Sequence, residues 1–294
     1  MRTGIGIDVG GTKIFGIIGT EDGTVLAEGK WETARSRTAF LTQMIQIVEW
    51  LTGQAGITRD EIGRLGIGLP GRVSGGVIKW VPNLPELNEL DLSVALTDRL
   101  GIPVGLRNDG QLALLGEQWL GAAKGRNGVV MLTIGTGIGG AIICNGQLWE
   151  GAHGTAGSIG WLTMDVTDAG HPELGWFERM ASGTAVNAKA KQLTDGGTAQ
   201  QLFAAYRSGD PEAALFVAEF GRCLGVGIAN LASILDPELI LIGGGVANDL
   251  PLLLPHIRNT VQRCASPVTR NVPIVPAALL DRAGGLGALR LAFL

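Results

Sequence analysis

"IGIDVGGTKIFGII", residues 5–18, sets an aspartate and a glycine pair between two apolar runs. Each run reads as a β-strand, and glycines let the chain reverse between them with main-chain N–H groups turned inward. Asp8 has no basic residue near it before Lys13. "LTIGTGIGGAIIC", residues 132–144, repeats strand, glycine loop and strand without the charge. An opening that recurs about half a chain later points to two units of similar build.

Around these loops the pattern alternates. Residues 3–9, 13–20 and 24–31 read as strands, with "EDGT" (21–24) turning the second into the third. Leu41, Met44, Ile45, Val48 and Leu51 mark one face of a helix over 38–52. A strand follows at 65–69, then the turn-rich "PGRVSGG", a helix over 92–101 with a glycine cap, a strand over 102–109 and a helix over 110–121. The second half gives strands at 128–135 and 140–144, an Asn-Gly hairpin signal at 145–149, and helices from about 178 to 236. Strands at 238–245 and 271–277 precede a closing apolar helix. This order is α/β with two domains, each a mixed sheet flanked by helices. The expected division is 1–108, joined by the C-terminal helix 283–294, and 109–282, with a hinge near 108–122.

Composition narrows the function. Hydrophobic residues make up 46% of the 294 and charged residues 17%, enough for two cores. A net charge of −4 offers no basic field for nucleic acid. Residues 127–149 are free of charge but too rich in glycine for a membrane span. Cys144, Cys223 and Cys264 fit no metal spacing and read as reduced core filler, which places the chain in the cytoplasm.

Three glycine loops follow apolar strands: "DVGGTK" (8–13), "GTGIGG" (135–140) and "GGGVAN" (243–248). Any one alone is more simply a tight hairpin; three together, two at matching places, suit the oxygens of a nucleotide phosphate. Gly10, Gly11, Gly135, Gly137, Gly139, Gly244 and Gly245 would lend backbone, Thr12 and Thr136 a hydroxyl or N–H, and Lys13 a charge. Asp8 would hold Mg²⁺ through water; its plainer alternative is a turn residue bonding its own loop. Gly135, Gly137 and Gly140 also satisfy the G-x-G-x-x-G spacing, but that fingerprint needs a following helix, and "AIIC" reads as a strand. A nicotinamide-dependent dehydrogenase is disfavoured. Asn108-Asp109 closes a strand and opens a helix, making Asp109 either the base that accepts a hydroxyl proton or an ordinary N-cap. The helix N-terminus is expected to depress its pKa.

Glycine turns placed to pinch a polyphosphate resemble those of the actin/hexokinase-like (ribonuclease H-like) ATPases, whose two domains face each other across a cleft. The whole chain resembles the ROK family of sugar kinases and sugar-responsive repressors, through "DVGGTK", "LPGRV…PNLPEL", "RNDGQLALLGE", "TIGTGIGGAI", "NGQLWEGAHGTAG", "FERMASG" and "LIGGGVAN". The resemblance implies ATP and Mg²⁺ as cofactors, Asp109 as base, and sugar contacts from Gly71, Asn83, Asn108, Asp109 and Glu178. It also implies a homodimer. The first phosphate loop lies within eight residues of the start, where the family's repressors carry a DNA-binding domain, so the kinase branch is expected.

One segment departs from the pattern. The family's A-G-E-x-G-H is here "AGSIGW" (156–161), with Ser158 for the glutamate and Trp161 for the histidine. The family's zinc cysteines have no counterpart in "LTMDVTDAGHPELGWFE" (162–178), so no four-ligand zinc site is expected. Trp161, Trp176 and Phe177 are expected to order this region by apolar contacts. Ser158 cannot accept two hydroxyl bonds as a carboxylate does, which redirects selectivity toward another hexose, a sugar derivative or a cyclitol. Trp161 would stack on a ring face or fill core, core being the expectation; His153 reads as structural. The alternative to a kinase is a catalytically weak sugar- or nucleotide-sensing protein.

Overall fold

The computed structural model describes residues 2–193 and 197–294. The chain divides into two units: residues 1–125 with 150–156 and 278–294, and residues 126–149 with 157–277.

The first unit opens with strands β1 (Thr3–Val9), β2 (Lys13–Thr20) and β3 (Val25–Glu32), then helix α1 (Arg37–Ala55) and strand β4 (Ile62–Leu69). A small hairpin sheet, β5 (Arg72–Ser74), β6 (Val77–Trp80) and β7 (Leu90–Asp91), occupies what the sequence presents as a turn-rich stretch. Gly75 and Gly76, at φ 58° and 85°, make its first reversal. Helix α2 (Leu92–Leu100), strand β8 (Val104–Asn108) and helix α3 (Asp109–Leu120) follow. The second unit holds β9 (Val129–Ile134), β10 (Ile138–Cys144), β11 (Gln147–Leu148), α4 (Trp176–Ala181), α5 (Gly183–Leu193), α6 (Ala199–Arg207) and α7 (Pro211–Leu235). It ends with β12 (Leu239–Gly243), α8 (Leu250–Cys264) and β13 (Ile274–Pro276), after which helix α9 (Ala283–Leu291) returns to the first unit. The helical stretch expected over 178–236 includes residues 194–196, which lie outside the described residues.

The two main sheets share one topology. Their orders are β3-β2-β1-β4-β8 and β11-β10-β9-β12-β13. In each, three antiparallel strands meet two parallel ones: β1 pairs antiparallel with β2 and parallel with β4, as β9 does with β10 and β12. The repeated opening in the sequence is therefore a repeated sheet. Ile5, Ile7, Val9, Phe40, Met44 and Leu65 belong to the first core, and Val130, Leu132, Phe177, Leu224 and Ile240 to the second. Each such side chain, fully buried, contributes about 1.5–3 kcal/mol.

The sequence places α3 in the second domain, but it packs against α9 in the first unit. The reason is contact between backbones: a methyl group at Gly287 of α9 would lie 1.7 Å from the Leu112 carbonyl oxygen of α3. Helix α7 is long and apolar enough to cross a membrane, yet Val217, Leu224 and Ile228 on it sit in the second core. The cysteines depart from expectation. Cys144, at the end of β10, and Cys264, the last residue of α8, are exposed; only Cys223 is half-buried, and burial pushes its thiol up to about 11.

Candidate active site

Parallel strands carry ligands beyond their carboxyl ends. In the first unit those ends belong to β1, β4 and β8, whose register sets Asp8 beside Gly68 and Leu69 beside Asn108. Asp8 is thus the penultimate residue of β1, and the loop after it is held by short bonds. Gly10 N–H donates to the Lys13 carbonyl at 2.8 Å, and Thr33 donates its hydroxyl to Gly10 O at 2.9 Å and its N–H to Thr12 O at 3.0 Å. Thr12 and Lys13 are exposed. Asn83 lies against this loop: a methyl at Gly11 would meet its Cβ at 2.8 Å.

Asn108, rather than Asp109, caps α3. Its Oδ1 accepts from Gly110 N at 2.9 Å and Gln111 N at 3.3 Å, while its Nδ2 donates to the Gly71 carbonyl at 2.9 Å. Gly71 stands at φ +88°, where a methyl would fall 2.2 Å from Trp80 O, so glycine is required to bring that carbonyl to Asn108. With the cap supplied, Asp109 is the first helical residue, its Oδ1 accepting from Gly110 N at 2.7 Å. The expected depression of its pKa does not hold. Burial raises it and outweighs the lowering from the Gly110 and Asp109 N–H groups and the Asn108 side chain.

Asp8 lies between two glycines. A methyl at Gly284 would meet its Oδ2 at 2.3 Å, and one at Gly68 its Oδ1 at 3.1 Å. Its carboxylate accepts no hydrogen bond from the described residues, so it does not close its own turn. Burial first, and the Asp109 charge second, push it from 3.8 up to about 7. No cationic side chain pairs with Asp8 or Asp109 among the described residues. Two half-buried carboxylates without a counter-charge fit a hard divalent cation such as Mg²⁺, which keeps several of its waters.

The Asp8 shift carries a stability prediction. An acid whose pKa is raised by folding holds its proton where the unfolded chain has lost it, so stability falls as pH rises from about 4 to about 7. Asp8→Asn is therefore expected to raise the calorimetric melting temperature of the ligand-free protein at pH 8, by an amount on the order of 5 °C. The gain should vanish near pH 4; a gain independent of pH would mean that Asp8 ionises freely.

In the second unit the matching carboxyl ends belong to β9 and β12. Gly135–Gly137 forms a tight turn closed by Gly135 N–H to Gly137 O at 3.0 Å. The N-terminus of α5 packs on it, with Gly183 N–H donating to Gly135 O at 2.7 Å and the Thr184 hydroxyl to Thr136 O at 2.7 Å. A pocket of about 640 Å³ opens here, lined among others by Gly135, Thr136, Gly183, Thr184, Asn187, Phe203 and Gly245. The Arg207–Asp249 ion pair, at 2.8 Å, also lies on its wall. Its size and the two glycine loops at its mouth suit a nucleotide. Of the residues expected at the nucleotide, Gly135, Thr136 and Gly245 line the pocket, whereas Gly137, Gly139 and Gly244 do not. Gly139 lies within β10 opposite Thr133, and Gly244 is required at φ +78° where the chain leaves β12. Gly183, Thr184 and Asn187 escape a sequence reading because a helix start is an ordinary place for small polar residues. Strand β10, not a helix, follows the G-x-G-x-x-G loop, which removes the dehydrogenase.

Residues 4–293 match the model of the ROK family. The chain belongs to the ROK family. It is 32% identical to a glucokinase from Streptomyces coelicolor over 98% of this chain and 96% of the relative. The ROK hexokinase of Thermus thermophilus superposes with a TM-score of 0.86 at 30% identity, covering 99% of this chain and 98% of that one. A ROK family glucokinase from Streptomyces griseus, solved in complex with glucose and AMPPNP, gives 0.77 at 30% identity, with 99% of each chain covered. The fold is the actin/hexokinase-like one.

Three residues considered for the acceptor lie in the second unit: Glu178, by ROK resemblance, and Ser158 and Trp161, which stand where the family has glutamate and histidine. Glu178 is half-buried on α4, its carboxylate beside two glycines: methyls at Gly137 and Gly160 would meet Oε1 and Oε2 at 2.8 and 3.0 Å. Its main-chain carbonyl accepts from Ser182 N at 3.2 Å, but its carboxylate accepts no hydrogen bond from the described residues, which leaves both side-chain oxygens for a ligand. Ser158 and Trp161 are the ends of one 3₁₀ turn, three residues apart and hence on one side of it. Trp161 is 53% exposed, so it is not core filler; Phe177, fully buried, takes that part, with Trp176 half-buried. His153 is exposed as well.

Proposed function

We infer that this ROK-family chain is an ATP-dependent carbohydrate kinase in which the second unit's pocket takes the nucleotide and Asp109 accepts the proton of the attacking hydroxyl. One observation carries the assignment: Asp109, half-buried at the start of α3 where Asn108 already caps the helix, has its pKa raised above the ordinary aspartate value. Such a carboxylate is not needed as the helix cap, keeps Oδ2 beyond its bond to Gly110 N, and is a stronger base than an exposed one.

In phosphoryl transfer the protein positions the reactants and neutralises charge. Gly135, Thr136 and Gly245 would hold the nucleotide, and the backbone of Gly10–Thr12 with Lys13 would meet phosphate oxygens. Mg²⁺, held at Asp8 through water, would supply neutralisation of the phosphate charge. Asn108, fixed by its bond to Gly71, would orient the acceptor, with Asn83 and Glu178 as further contacts. The acceptor oxygen bonds to the γ-phosphorus, the bond to the β,γ-bridging oxygen breaks, ADP leaves and the hydroxyl proton ends on Asp109.

Ser158 and Trp161 shape the acceptor. An exposed indole and a hydroxyl on one turn favour a sugar that offers a ring face over one that needs a charged acceptor for paired hydroxyls. The test is ADP release, by a coupled assay, with D-glucose, D-mannose, N-acetyl-D-mannosamine, methyl β-D-glucopyranoside and myo-inositol. ATP-dependent turnover with at least one, and a preference order unlike that of a strict glucokinase, is expected. Nucleotide binding without ADP release from any acceptor would favour the sensing protein.

A further inference from the structure

We propose that Asp168 is a positioning residue for the acceptor site, acting through Arg179 on the neighbouring Glu178; this rests on Glu178 touching the acceptor. Helix α4 has six residues, far fewer than an isolated helix needs to persist, and its N-cap, Gly175, supplies no side-chain bond. The segment before it, from Leu162 to Gly175, contains neither helix nor strand. Two anchors flank Glu178 on this short helix. Phe177 is fully buried against α7, where a methyl at Gly227 would meet its Cζ at 2.5 Å. Ala181, one turn on and fully buried in the same core, seats that face of the helix with Phe177, and leaves the half-buried side chains of Glu178 and Arg179 to be held by polar contacts.

Arg179 is the polar anchor of α4, next in the chain to Glu178. Its Nη2 donates to both oxygens of Asp168, at 2.9 and 2.7 Å, and the two side chains are only 26% and 15% exposed. Arg179 Nε is buried with no partner, so Asp168 is the counter-charge that holds this guanidinium among the described residues. Asp168 is itself held, since its Oδ2 accepts from Gly170 N at 3.1 Å. The chain of constraint therefore runs from a turn in an irregular segment, through an enclosed ion pair, to the carboxylate between Gly137 and Gly160. A partly enclosed charged pair of this kind loses its geometry when one member becomes neutral.

The test compares Asp168→Asn, Asp168→Glu and Glu178→Gln with wild type, using D-glucose as probe acceptor and, where turnover is slow, its dissociation constant from tryptophan fluorescence. Asp168→Asn is expected to raise the glucose constant about tenfold, with the ATP constant unchanged and kcat lowered less. Asp168→Glu should recover part of the loss. Amide hydrogen exchange in 176–181 should quicken in Asp168→Asn while exchange at the centre of α7 stays as it was. A glucose constant that moves in Glu178→Gln but not in Asp168→Asn, or unchanged exchange in α4, overturns the inference. A glucose constant unmoved by Glu178→Gln overturns instead the contact on which it rests.

Discussion

Asp109→Asn is expected to lower kcat by about 10²–10⁴-fold while leaving ATP affinity near the wild-type value. The substitution keeps the shape of the side chain and an oxygen to accept from Gly110 N, so the start of α3 stays capped by Asn108 as before. What is lost is the capacity to take a proton. Because burial disfavours the charged form of Asp109, the variant should melt no lower than wild type at pH 8, which separates lost chemistry from lost folding. The raised pKa also sets a pH signature. The base must be ionised, so kcat/KM of the wild type should fall as pH drops through a value above the ordinary carboxylate range, and that acid limb should be absent from the residual activity of the variant. Retained turnover would end the assignment of Asp109.

Gly287→Ala is expected to produce the largest loss of stability among single methyl additions in the first unit. The new carbon would lie 1.7 Å from the Leu112 carbonyl oxygen and 2.4 Å from its carbon, both backbone atoms of a packed helix that cannot step aside alone. Separating α3 from α9 also disturbs β1 and β4, since methyls at Gly6 and Gly66 would strike Leu289 N and Ala288 O of the same helix. A cost above about 4 kcal/mol follows, in the class reserved for severe overpacking. Gly53→Ala is the control. That glycine is in α1 with nothing within 4 Å of the added carbon, and alanine there should stabilise by about 0.4–1 kcal/mol. Urea unfolding of the two variants should therefore move in opposite directions; similar midpoints would refute backbone contact as the reason for glycine in α9.

Much of the fold is legible where local physics decides it. β1, β2, β9 and β10 follow from apolar runs interrupted by glycine, and the turns at Gly101 (φ 70°) and Asn145–Gly146 (φ 52° and 76°) from residues that tolerate left-handed backbone. The hairpin sheet of β5–β7 is hidden because its strands are two to four residues long and its glycines read as loop. The placement of α3 depends on a close approach to α9 from the far end of the chain, which no local pattern carries. At the site, the roles of Asp8 and Asp109 are suggested by their place at strand ends, but the sign of the Asp109 shift is not. It depends on burial, a property of the folded unit, which overcomes the helix N-terminus that local sequence displays. Trp161 shows the opposite error: aromatic neighbours suggest a shared core, and only Phe177 is fully enclosed.

The central claim, that Asp109 receives the proton from an alcohol attacking a nucleotide bound in the second unit's pocket, is tested most directly by a crystal structure with AMPPNP, Mg²⁺ and the best acceptor from the panel. The account predicts the triphosphate on Gly135, Thr136 and Gly245, with one acceptor hydroxyl hydrogen-bonded to Asp109 and about 3–3.5 Å from the γ-phosphorus. A nucleotide seated elsewhere, or an acceptor whose hydroxyls all lie beyond reach of Asp109, would contradict it.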